Sequence, residues 1–185
     1  MSKRLGGTGL DLSGAGYCVA FNSRKAARAI TKLYDLELAP SGIRSTQFAV
    51  LITLARSQPV SIGGLAEAML IDTTTLTRSL RLMRKQGLLT ISERSTMRQR
   101  FVTLTREGTS ALEKSLPQWR RVQTRFLNAI GKEHWKVLQQ ELARLSAIAR
   151  TLETSRPPTA TVASRTLSPG AAKRGGYVID DTFGA

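Results

Sequence analysis

Between residues 61 and 105 the spacing of apolar residues changes once, from helical to alternating, and that change restricts the fold more than any other property of the chain. Ile62, Leu65, Ala66 and Met69 recur at the three- and four-residue steps of a short helix. Asp72 is placed to cap another over residues 73–86, with Leu76, Leu80 and Met83 turned inward and Gly87 as its stop. Leu70, Ile71 and Asp72 leave so short a connection that the two helices must cross steeply, as in a helix-turn-helix. Residues 88–92 and 100–105 then alternate, with β-branched and aromatic side chains, around the charged loop 93–99. That pattern is a β-hairpin. A helix-turn-helix followed at once by a hairpin is a winged helix-turn-helix, a mainly α fold with a small β wing.

The rest of the chain reads as helices on either side of this unit. Ala26, Ala29, Ile30 and Leu33 form one stripe of a first helix over residues 17–37, which Pro40, Ser41 and Gly42 end. Phe48, Leu51, Ile52 and Ala55 give a second helix that stops before Pro59. After the wing, one helix spans residues 106–130 and, beyond Gly131, another spans 133–153. Pro117 lies inside the former and is expected to kink or break it. The latter carries Trp135, Leu138, Leu142, Leu145, Ile148 and Leu152 on one stripe, which needs an apolar partner; a second copy across a two-fold axis supplies one economically. Trp119 and Trp135 are read as anchors of that dimer core rather than ligand stackers. Residues 1–16 and 155–185, rich in Gly and in Ser, Thr, Pro, Gly and Ala, show no period and are expected to be disordered.

Charge then narrows the partners. The 185 residues carry 28 Lys and Arg against 13 Asp and Glu, a formal +15, which favours a polyanion. No apolar run approaches the roughly 18 residues that span a bilayer, so no membrane partner is expected. One cysteine, Cys18, permits no intrachain disulfide, which fits a cytoplasmic chain. A single histidine, His134, and the lack of CxxC, HExxH, GxSxG and GxxxxGK[ST] motifs argue against an enzyme, a metal site or a cofactor. Aromatic residues are 5% of the chain, too few for a base-stacking binder of single strands.

The helix over 73–86 offers Thr73, Thr74, Thr75, Thr77, Arg78 and Arg81 on a polar face that the core does not need. Threonine reaches base edges and thymine methyls, arginine bonds guanine O6 and N7, and free amides at a helix start attract phosphate. An ordinary solvated face would pair its cations with Glu at i, i+4, whereas Arg78, Arg81, Arg84 and Lys85 have no acidic neighbour beyond Asp72. From 61 to 105 seven basic residues face three acids. The face is therefore read as a major-groove surface, with Ser61 before it and Arg94 and Arg98 on the hairpin loop beside it, where arginine suits a narrow minor groove. Gly63 and Gly64 admit two readings, close approach to a phosphate or a frayed helix start.

Several runs, in order, resemble MarR-family regulators: Ser61–Ile62–Gly63–Gly64–Leu65–Ala66–Glu67–Ala68, Asp72 to Arg78, Arg84–Lys85–Gln86–Gly87–Leu88–Leu89, and Val102 to Gly108. With Cys18 to Tyr34 and Leu116–Pro117–Gln118–Trp119, the resemblance covers residues 17–153. It implies a homodimer joined through residues 17–40 and 106–153, on a pseudo-palindromic double-stranded operator. It also implies a repressor released by a small phenolic or aromatic acid, or its coenzyme-A thioester. An effector-independent activator or antisilencer is the alternative, and a protein-interaction module a third reading. The family's wing arginine falls on Arg98, with Thr96 where an aspartate usually steadies it. Phe21, Arg24, Arg28 and Phe48 are the implied effector residues, only one of the two arginines being expected to face the crevice. The position of the family's redox cysteine falls on Ala20 rather than Cys18, and Ser45 stands where a partner tyrosine would be, so Cys18 is read as a small half-buried side chain.

Overall fold

In a computed structural model, residues 14–94 and 99–155 are described. They form α1 (Val19–Leu38), α2 (Ser45–Ser57), β1 (Val60–Ser61), α3 (Ile62–Ala68), α4 (Thr73–Lys85), β2 (Leu89–Arg94), β3 (Gln99–Leu104), α5 (Arg106–Ile130) and α6 (Lys132–Thr154). The chain divides into two compact units, one up to Arg125 and one from Phe126. Most of the arm and tail expected to be disordered lies outside the described residues; residues 15–17 form a 3-10 turn ahead of α1.

The core of the first unit lies among α2, α3, α4 and the sheet. Leu51, Leu54, Leu65, Leu76, Leu80, Met83, Leu89 and Val102 are each shut off from solvent. Burying a side chain of this size contributes about 2 kcal/mol. Phe48 belongs to the same core, its ring stacked on Trp119 with centroids 5.7 Å apart. Trp119, half-buried, thus packs against the chain's own core. It projects from α5 on the same side as Leu112 and Ser115, both buried.

The starts of α2 and α3 find side-chain acceptors. At α2 the Ser45 amide donates to Asp35 Oδ1 (2.7 Å) and the Arg44 amide to Gln47 Oε1 (3.0 Å). At α3 Ser61 Oγ accepts from the Gly64 amide (3.0 Å), so the two glycines open a capped helix and not a frayed one. The α3–α4 turn is closed by Ile71 N–H donating to Ala66 O (3.0 Å) and by Leu70 in the left-handed region, φ 50°. That conformation costs a non-glycine residue about 1 kcal/mol. It allows α4 to begin three residues later, at Thr73.

The hairpin is in place, with β2 and β3 antiparallel from Leu89 opposite Leu104 to Arg94 opposite Gln99. The wing has a third strand that the sequence did not signal. β1 pairs on the far side of β3, Val60 opposite Val102 and Ser61 opposite Phe101, giving the order β1-β3-β2. Two residues are too few to show alternation. α5 begins at a tight joint: Thr105 Oγ1 donates to Gly87 O (2.5 Å) and accepts from the Gly108 amide (2.9 Å), while the Thr105 amide donates to Leu88 O (3.2 Å). α5 then runs through Pro117 without the expected break. The proline is exposed, so the carbonyl it leaves unpaired faces water, while buried Leu112 and Ser115 hold the opposite side.

α6 starts after Gly131, at φ 86°, and none of its residues is fully buried. Leu142, Leu145 and Ile148 are 47%, 44% and 44% exposed. Among the described residues no helix is long and apolar enough to cross a membrane.

Candidate nucleic-acid interface

α4 is fixed at three points. Leu76, Leu80 and Met83 seat it in the core, the Asp72 carboxylate accepts from the Thr75 amide (2.8 Å), and Gly87 at φ 73° ends it. Hydrogen bonds from the Thr75 side chain and amide, then from the Thr74 amide, with the Arg78 charge nearby, hold the Asp72 carboxyl below its ordinary 3.8. The Thr75 amide at the start of α4 is thus already engaged by a carboxylate of the chain.

At about 100° per residue, the face opposite the three core side chains carries Thr74, Arg78, Arg81 and Lys85. All four are exposed, as are Thr73, Thr75 and Arg84. Thr77 lies on the flank, half-buried, and its hydroxyl donates to Thr73 O (2.6 Å). Ser61 is half-buried with its hydroxyl engaged at the start of α3. Ion pairs among the described residues join Arg125 to Glu37, Lys136 to Glu133 and Arg144 to Glu141. None involves α4, so its cations remain available to a polyanion. Lys85 and Leu82, 54% exposed beside Arg78, were not among the expected contacts. Lys85 was legible as the residue four beyond Arg81 on an acid-free face; Leu82 gave no signal.

The wing contributes less to the described surface. Arg94 ends β2 opposite Gln99, but its side chain and all of Arg98 lie outside the described residues, as does Thr96.

The four residues implied to meet an effector are not together. Phe21, Arg24 and Arg28 line one open concavity along α1 with Ala20 and Lys25, and both arginines also line a longer one with Thr31, Lys32, Asp35 and Leu36. Both arginines therefore lie on the same side of α1. Phe48 is 5% exposed, in the core, and lines neither concavity. Its place on the Phe48–Leu51–Ile52 stripe had already marked it as core. Cys18, expected half-buried, is exposed at the start of α1. Tyr34, its hydroxyl pushed up by burial, bonds Gln123 and so ties α1 to α5.

A three-stranded wing packed beside a steeply turned helix pair, whose second helix presents unpaired arginines, defines a winged helix-turn-helix DNA-binding protein. A sequence model of the MarR family matches residues 41–100. The M. tuberculosis transcriptional regulator MosR, solved in complex with DNA, is 33% identical, with TM-score 0.68 over 73% of this chain and 98% of that one. An uncharacterised HTH-type transcriptional regulator of Bacillus cereus is 26% identical over 66% of this chain and 78% of its own length. PcaV of Streptomyces coelicolor, solved with its natural ligand, shares the fold at 19% identity, TM-score 0.65, over 77% of this chain and 99% of that one. The chain belongs to the MarR family of DNA-binding transcription regulators.

Proposed function

We propose that the chain is a homodimeric, sequence-specific repressor that places α4 of each copy in successive major grooves of a pseudo-palindromic operator. The observation that carries this is the acid-free outer face of α4, with Arg78, Arg81 and Lys85 opposite its core stripe. Thr73, Thr74, Thr75 and Thr77 surround the arginines, and Ser61, at the start of α3, faces the backbone. Arg94 and Arg98 reach the neighbouring minor groove from the wing. In a gel-shift series, Arg78→Ala should weaken binding to a selected operator by about 1–3 kcal/mol while leaving random duplex nearly unaffected, as loss of a base-edge contact requires. Equal, small effects on both duplexes would remove the readout assignment.

The release signal is a small aromatic or phenolic carboxylate, or its coenzyme-A thioester, bound against α1. Phe21 there offers a ring at 61% exposure, and Arg24 and Arg28 offer guanidinium groups to an anionic end. The expected coupling is a loss of operator affinity of about 5- to 150-fold. Arg28→Ala should blunt it without abolishing DNA binding. A panel of phenolic acids, their thioesters and peroxides that leaves the gel shift unchanged would make effector-independent binding the better reading.

A further inference from the structure

The core holds one large polar side chain that the DNA-binding surface does not use. Gln47, on the first turn of α2, is 6% exposed, and both ends of its amide are engaged. Its Oε1 accepts from the Arg44 amide (3.0 Å), and its Nε2 donates to Gln86 Oε1 (2.8 Å). Gln86 is the residue that closes the C-terminal end of α4. The turn that carries Gln47 is itself fixed from the other side, because the Ser45 amide donates to Asp35 Oδ1 of α1 (2.7 Å). Apolar side chains alone would seat α4 through Leu76, Leu80 and Met83, yet such contacts permit a helix to roll or slide slightly. A directional bond from a buried donor does not, and leaving that donor unpaired is costly.

We propose that Gln47 is a positioning residue for DNA recognition: through Gln86 it sets the rotation of α4, and so the aim of Arg78 and Arg81, without touching DNA. This rests on the reading of α4 as the recognition helix. A residue that only stabilised the core would change the melting temperature and leave the ratio of operator to random-DNA affinity alone. A positioning residue changes that ratio while the protein is fully folded.

The test uses the duplex that the full wild-type chain selects from a randomised pool, and a random duplex of the same length, at one salt concentration well below the melting temperature. Gln47→Leu and Gln86→Met should each lower the operator-to-random ratio by about tenfold, equivalent to one misplaced base contact. The double variant should lose no more than either single variant, as members of one bond do. Gln86→Glu keeps an acceptor for Gln47 Nε2 and should restore the ratio, its added charge weighing on both duplexes alike. An unchanged ratio in folded Gln47→Leu, or additive losses in the double variant, overturns the proposal while the assignment of α4 stands. A wild-type chain that selects no sequence overturns the recognition reading and this proposal together.

Discussion

One hydrogen atom on Gly108 separates a joint that closes from one that cannot. A Cβ at this position would stand 1.9 Å from the Leu88 carbonyl oxygen, a main-chain atom with no room to yield. The close approach is what lets the Gly108 amide reach Thr105 Oγ1 at the start of α5. Gly108→Ala is expected to destabilise the fold by about 3 kcal/mol, the upper end for overpacking, because main chain and not a side chain must move. Urea unfolding measures it, and a loss under about 1 kcal/mol would mean that α5 shifts freely from the sheet. Nothing at positions 106–110 announces this requirement, since the atom that imposes it is twenty residues away. The arginines differ: Arg78 and Arg81 were legible because their own neighbours lack acids. Phe48 was placed at the effector site by family analogy, although the stripe on which it lies puts it in the core.

The elements follow their local chemistry where that chemistry is confined to a few neighbouring residues. α4 was legible throughout, from the Asp72 cap and the Leu76–Leu80–Met83 stripe to the left-handed Gly87. β1 was not, because two residues become a strand only through a partner, β3, some forty residues on. The unbroken course of α5 past Pro117 likewise depends on which side of the helix meets water. The cap gives α4 a pH dependence with a definite sign. The Asp72 carboxyl is held below its unfolded value, so its contribution is complete above that value and is lost as pH falls through the lower, folded one. Between neutral pH and about pH 5 the cap should add no pH dependence, and below about pH 4 the wild type should lose melting temperature faster than Asp72→Asn, which has no carboxylate to protonate. Parallel curves for the two proteins would show that the cap does not stabilise the fold through its charge.

For the molecule as a whole, the formal charge of +15 and the apolar residues of α6 point to different partners. Leu142, Leu145 and Ile148 lie on one stripe, each more than two-fifths exposed, and an exposed apolar face of this length seeks cover. Sedimentation should give twice the chain mass at micromolar concentration, and Leu142→Glu with Leu145→Glu should give the single chain and weaken operator binding far more than random-DNA binding. A wild-type monomer would remove the two-fold operator as well. The joint at Thr105 has a practical consequence for protein engineering. Its hydroxyl binds the end of the recognition segment, Gly87, to the beginning of α5, so the reading head is not a cassette that ends with the last strand. A chimaera that transplants this head onto another regulator's scaffold should carry the chain through Gly108; a splice made at Leu104 would leave behind the residue that locks it in place.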